Sequence, residues 1–370
     1  MYDISFFDNL EPLLLSLVDA LMKRKIFSAF LWIVCIGAAN KSYAQDIHFS
    51  QFYETTILRN PALCGVFSGD YKVAANYRTQ WNSISKPFVT GQFSFEARIP
   101  VSMESEDFFS VGLLGLYDKA GSIDMKTTAI YPAINFSKKL GSGHNSYLTG
   151  GFTAGYATRS FDPSKMTVDN QYINGHFDPN AAANEYGANP KFSYFDLGAG
   201  INYSNSSGEN EEVTYFFGVS GYHFTKPHTT FYNNALINLS VKWNVNAGLN
   251  YRISETYGLL VQGNYTHQGA YNETMIGALG VWKKGGENEL HQPDFILYGG
   301  AFLRVNDAII PIVKLDYKRY SFGISYDVNI SRLKVASNLR GGMELTVVKT
   351  GLFKDPKWER SRTSCPHYVW

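Results

Sequence analysis

Between Val241 and Arg252 the chain alternates without a break. Val241, Trp243, Val245, Ala247, Leu249 and Tyr251 fall on one parity; Lys242, Asn244, Asn246, Gly248, Asn250 and Arg252 fall on the other. Successive side chains of a strand turn to opposite faces, so this segment has one apolar side and one hydrated side. A run of about ten residues is also long enough to cross a bilayer when tilted. Similar runs recur, with limits near 71–81, 88–99, 108–117, 126–138, 146–159, 192–204, 213–224, 240–252, 257–267, 273–283, 294–304, 309–317, 319–328 and 341–350. They predict an all-β fold, a transmembrane antiparallel β-barrel of about 14 strands, an even number as single-chain bacterial barrels have.

Parity assigns the faces. Tyr71, Val73, Ala75 and Tyr77 are expected to meet lipid, with Lys72, Asn76, Arg78 and Gln80 inside. Phe195, Leu197, Ala199 and Ile201 oppose Asp196, Gly198, Gly200 and Asn202; Tyr320, Phe322, Ile324 and Tyr326 oppose Ser321, Gly323, Ser325 and Asp327. A basic residue on the lipid face near the midplane costs roughly 2–4 kcal/mol, so Lys72 and Lys242 should look inward, and Asp196 with them. Trp81, Tyr117, Tyr147, Tyr203, Tyr257 and Trp282 lie towards run ends, as interfacial girdles would. Two segments depart from the rule: Val111 to Leu116 is apolar on both parities, and Pro311 removes a donor, which predicts a bulge.

The connections alternate too. Those after even-numbered runs are mostly brief, such as 139–143 and 254–256, whereas 160–191 and 225–239 are long. Outer-membrane barrels have short periplasmic turns and longer outside loops, so both termini are expected in the periplasm. That divides the mature chain into an amino-terminal periplasmic or plug segment over 45–69, lying in or under the lumen, a barrel over 70–350, and a periplasmic tail over 351–370.

Composition refines this picture. Charged residues are only 18% of the 370, below the roughly one quarter usual for soluble domains, and aromatics reach 15%. Composition alone would fit a large soluble β-sandwich equally well. The net charge of +1 offers nothing to attract nucleic acid. Lys23, Arg24 and Lys25 precede an apolar run, Ile26 to Ala39, and Ser42-Tyr43-Ala44 follows: the layout of a signal peptide over 1–44, with Met22 as the true start. After Gln45 no stretch of 18 apolar residues occurs, so spanning by α-helices is excluded.

Candidate chemistry is sparse. The eight histidines are scattered without metal or nucleophile spacing, and neither a cofactor nor a metal is called for. His223 and His228 flank Lys226-Pro227 in a loop. Ser160, His176 and Asp178 share the longest connection, a trio that chance supplies in any polar loop, and the chain reads as a non-enzyme. Asn60 and Pro61 read as a structural turn; Arg78, Gln80 and Trp81 read as ordering the outer end of the first strand. Cys64 and Cys365 are a candidate disulfide in an exported protein, with two separate thiols equally compatible.

Several strings carry more. Phe49-Ser50-Gln51-Phe52-Tyr53, Asn60-Pro61-Ala62, Tyr77-Arg78-Thr79-Gln80-Trp81, Asp118-Lys119-Ala120-Gly121, Asp169-Asn170-Gln171-Tyr172 and His223-Phe224-Thr225-Lys226-Pro227 occur in order. Ser325-Tyr326-Asp327, Ser331, Leu333, Glu344 and Cys365-Pro366 follow. Together they resemble the PorP/SprF family of Bacteroidetes outer-membrane proteins over nearly all of Gln45 to Pro366. Two features depart from it: Cys64 stands where an aromatic is expected, and the tail runs on past Pro366 to Trp370.

The resemblance implies an integral protein of a Gram-negative outer membrane, in contact with its lipid and belonging to type IX secretion and gliding motility. Its partners would be an exported cell-surface protein, such as an adhesin bearing a type B carboxyl-terminal signal, and periplasmic components that bind peptidoglycan. Cys365 and Pro366 are the expected partner-binding residues of the tail. A passive channel or hydrophobic-solute transporter is the alternative.

Overall fold

A computed structural model of the chain describes residues 46–353, apart from 83–85, 102–105, 142–144, 179–180, 182–188, 209–210, 233, 235, 288–292 and 333. The strands are β1 (Tyr71–Gln80), β2 (Phe88–Pro100), β3 (Phe108–Ala120), β4 (Met125–Lys139), β5 (Ser146–Ser160), β6 (Tyr172–Ile173), β7 (His176–Phe177) and β8 (Lys191–Ser207). They continue as β9 (Val213–Tyr222), β10 (Lys242–Arg252), β11 (Tyr257–Gln268), β12 (Tyr271–Glu287), β13 (Pro293–Arg304), β14 (Ala308–Tyr317), β15 (Tyr320–Asn329) and β16 (Arg340–Gly351). β6 and β7 make a small separate hairpin; the other fourteen close a barrel. Its seam joins β1 to β16, in register from Tyr71 opposite Gly351 to Gln80 opposite Gly342. Closure leaves no edge of unpaired N–H and C=O groups to face hydrocarbon, where each would cost several kcal/mol.

All fourteen predicted runs are barrel strands, within a few residues at their limits. The faces follow parity: Phe195, Leu197 and Ile201 are exposed on the outside, while Asp196 and Asn202 are buried within. Connections are short at the end where β1 begins and β16 finishes, the termini end (253–256 and 318–319, for example). At the opposite, loop end, residues 161–190 and 223–241 connect β5 to β8 and β9 to β10.

Three expectations change. Tyr147 is no girdle residue: its parity is inward, and it packs against Phe108. Trp81 lies beside the lumen mouth, against Phe88. Pro311 makes no bulge. The β14–β15 register is the same on both sides of it, Ile309 opposite Val328 and Ile312 opposite Ser325, because its missing N–H costs the ladder one bond and no residue.

The amino-terminal segment lies in the lumen and runs its length. Asp46 contacts Lys242, the first residue of β10 at the loop end, and the Asp70 N–H donates to Gly351 O (2.7 Å) at the termini end. Between these points come a 3-10 turn (Phe52–Glu54), a one-turn helix α1 (Thr56–Arg59) and a second 3-10 turn (Pro61–Leu63). Asn60 caps that second turn, its side chain accepting from Ala62 N–H, and Pro61 takes the first position, where a missing N–H does no harm. The Asn60 amide also donates to Ile201 O and Asn246 Oδ1 (both 3.1 Å), tying the turn to β8 and β10. Glycines let the segment touch the wall: a Cβ on Gly151 would come within 2.6 Å of the Pro61–Ala62 backbone.

The segment also explains why β3 is apolar on both faces. Leu114 and Leu116 face inward, and what they meet is Phe49, Ile57 and Cys64 rather than water. A larger apolar arc lines the inside of β11–β14. There Leu260, Met275, Leu279, Ile296, Tyr298, Phe302, Ile310 and Ile312 pack with Phe52 and Tyr53. Across the lumen, β15, β16, β1 and β2 present charges to the same segment.

Candidate functional site

Those charges form a clamp. Arg78 of β1 is 2% exposed; its guanidinium donates to Asp327 of β15 (2.8 Å) and to His48 O (2.7 Å). Arg304 of β13 reaches the same Asp327 carboxylate (3.0 Å), and Ser50 Oγ donates to it as well (2.6 Å). Glu344 of β16 accepts the backbone N–H groups of Ser50 (2.6 Å) and Gln51 (3.0 Å). Lower down, Glu96 pairs with Lys72 (2.9 Å) and accepts from Thr56 Oγ1 and Gly65 N–H; Lys314 pairs with Glu54 (2.8 Å). Burial favours the neutral form of Glu54, yet Lys314 and Lys72 outweigh it and hold the carboxyl below its ordinary value. Arg59, by contrast, pairs with no carboxylate among the described residues. It donates to Gln262 and Gly263 O and lies over the Phe52 and Phe216 rings, and burial lowers its pKa to about 9.

At the loop end the segment begins in a second charged group. Asp46 meets Lys242 (2.5 Å) and His223 Nε2 (3.4 Å), and His223 Nδ1 is bonded to Asp196 (2.8 Å). Burial alone would make His223 less basic; its bonds to the two carboxylates overcome that and raise its pKa. His223 therefore ties the segment's start to β8, a role its spacing to His228 did not announce.

Above this floor opens a vestibule of about 460 Å³. Its walls include Arg78 and Gln80 from β1, Phe88 and Thr90 from β2, Asp118 from β3, Arg159 from β5, Glu273 from β12 and Arg304 from β13, with Trp81 beside them. So the three residues expected to order the first strand do meet at one place: Arg78 grips the segment from inside, while Gln80 and Trp81 line the mouth. The backbone of Trp81 is also fixed, its amide N–H donating to Gly341 O (2.9 Å). Arg159, Asp118 and Arg304 escaped the sequence reading, although inward parity and the Asp118 string pointed towards two of them.

The two long connections meet beside the mouth. Phe231 packs edge-on against Phe161 and Phe192 (both 4.8 Å between centroids) and accepts the Asn189 N–H at its carbonyl (2.6 Å). The joined loops nevertheless expose apolar side chains: Tyr172, Ile173 and Phe177 on the hairpin, Tyr232, Leu236 and Ile237 on the second loop, Leu236 at 89%. Cys64 is a buried free thiol, near β3. Cys365 and Pro366 lie outside the described residues.

Comparison with known proteins adds a family. The family model described as type IX secretion system membrane protein PorP/SprF matches residues 41–348. No curated protein sequence matches the chain. Similar solved structures include the toluene transporter TbuX of Ralstonia pickettii (8% identity, TM-score 0.46, covering 80% of this chain and 91% of that one). The toluene transporter TodX of Pseudomonas putida is 11% identical with a TM-score of 0.45 and covers 83% and 93%. A FadL homologue of Pseudomonas aeruginosa is 10% identical with a TM-score of 0.44 and covers 80% and 94%.

Proposed function

Because this chain belongs to the PorP/SprF family of type IX secretion system membrane proteins, an integral outer-membrane barrel, we propose that it is a non-enzymatic docking component. It assists the export or surface anchoring of a cell-surface protein, such as an adhesin, that bears a type B carboxyl-terminal signal. The observation that carries this reading is the contrast between a lumen occupied by the chain's own segment and a loop end rich in exposed apolar side chains. Apolar residues on loops outside the hydrocarbon gain nothing from lipid, and a cluster of them supports contact with another protein. In this reading the termini end faces the periplasm, where the tail with Cys365 and Pro366 meets peptidoglycan-binding components of the secretion system.

Replacing residues 172–177 by a Gly-Ser turn tests it in cells. The barrel should still assemble in the outer membrane, while one surface protein is lost from the cell exterior. Undiminished display of every surface protein would count against the docking role. A passive channel or hydrophobic-solute transporter would require the segment to leave the lumen, and steady conductance of the purified protein in planar bilayers would favour that alternative.

A further inference from the structure

The loop-end vestibule contains two charges that, among the described residues, have no ion-pair partner. Arg78 and Arg304 share Asp327, and Arg304 also meets Glu273 (3.5 Å) and Asp307 (3.1 Å). Asp46 is held by Lys242 and His223, and Glu273 also accepts from the Tyr271 hydroxyl (3.0 Å). Arg159 differs. Among the described residues its guanidinium donates only to the Met125 sulfur (3.5 Å) and meets no carboxylate; its buried Nε–H, like those of Arg78 and Arg304, has no acceptor. Asp118, among the same residues, accepts only the Thr90 hydroxyl (2.7 Å). These two groups stand in one cross-strand row, Asp118 opposite Thr127 and Thr127 opposite Arg159, near enough to attract each other but not within ion-pair distance. A guanidinium N–H deprived of both water and an acceptor is unfavourable, and a carboxylate is the group its planar fork fits best. Trp81 and Phe88, tilted together at 5.1 Å, supply an aromatic wall to the same cavity.

The charge balance narrows the ligand. The lining carries Arg78, Arg159 and Arg304 against Asp46, Asp118, Glu273 and Asp307, so a polyanion such as a nucleotide would meet as much repulsion as attraction. A single carboxylate next to an amide N–H and an aromatic ring matches all three features. About 460 Å³ suits a few side chains rather than a folded domain. We infer that the vestibule binds an extended peptide segment, the carboxylate of a Glu or Asp on Arg159, a backbone N–H on Asp118 and a neighbouring aromatic side chain against Trp81 and Phe88. The inference rests on the docking role proposed above, whose exported partner would supply that segment.

The test uses the purified full chain in detergent micelles and two probes, N-acetyl-Phe-Glu-amide and N-acetyl-Phe-Gln-amide, with binding followed by calorimetry. The Glu peptide should bind about tenfold more tightly than the Gln peptide, the size expected of one charge-assisted hydrogen-bond pair. Arg159→Gln should abolish that preference, Arg159→Lys should retain part of it, and Trp81→Ala should weaken both peptides alike. Unchanged electrophoretic mobility before and after heating would show that the Arg159→Gln barrel still folds. Equal affinity for the two peptides, wild-type behaviour of Arg159→Gln, or inorganic phosphate competing as well as the Glu peptide would overturn the inference. Surface display in cells lacking the chain separates the two ideas. Display that depends on the chain without any peptide preference leaves docking standing and sinks the vestibule. A clear preference with undisturbed display does the reverse.

Discussion

Two arcs of the same wall hold the amino-terminal segment by different physics. Over β15, β16, β1 and β2 the inner face is ionic: Arg78, Asp327, Glu344, Glu96 and Lys72 bond to named atoms of the segment or to each other. Over β11–β14 it is mainly apolar, with Arg304 and Lys314 as the charged exceptions, and Phe52 and Tyr53 meet Phe302 at 5.2 and 5.8 Å. The apolar arc supplies non-directional burial, about 1.5–3 kcal/mol for each large side chain removed from water. The ionic arc adds little net stability over a well-packed apolar one, because desolvation opposes the attraction. What it adds is register: Ser50 and Gln51 can satisfy Glu344 in one position only.

The comparison can be broken first at Arg78. Arg78→Met leaves buried Glu344 without the cation beside it and Asp327 with Arg304 alone, and should cost about 3–5 kcal/mol. The loss would appear as a lower temperature for the folded-to-unfolded gel shift, with residues 46–70 open to protease before the barrel unfolds. In the apolar arc, Leu279→Ala should cost about 3 kcal/mol through the cavity it leaves. Here the segment should stay protected until global unfolding, since no charge is stranded. If both variants release the segment equally, the division of labour between the arcs is wrong. A smaller effect is expected at Gly200, where a Cβ would sit 2.1 Å from Asn60 Oδ1. Gly200→Ala should cost about 1–3 kcal/mol, readable in the same gel-shift assay, and Asn60→Gly should relieve much of it.

The smallest effect is a pH dependence at the segment's beginning. The folded pKa of His223 is raised, so its contribution is complete below the ordinary imidazole value, near 6.5, and is lost as pH rises through the higher folded one. Protease access near Asp46 should therefore increase across that window, and His223→Gln should flatten the profile. A decrease with rising pH would show that the bonds to Asp46 and Asp196 do not govern this end.

The barrel was legible because lipid imposes a rule on every strand: apolar outward. No such rule governs the inside. Lys72, Lys242 and Asp196 obeyed the expectation of a hydrated lumen only in facing inward; each is bonded to protein there. Leu114 and Leu116, which depart from it, report the segment packed against them. Alternation also could not show that Arg78 and Asp327, 249 residues apart, would meet, since that follows from the seam and from strand register. The vestibule was hidden for the same reason. Arg159 stands out only once its neighbours' partners are known.

The seam and the segment have a consequence for assembly. β16 is the last of the fourteen barrel strands along the chain and β1 the first, and Glu344 on one and Arg78 on the other both hold residues 48–51. Both halves of that grip stand side by side only where β1 pairs with β16, so seating residues 48–51 and closing the seam stabilise each other. The segment is the latch of the seam.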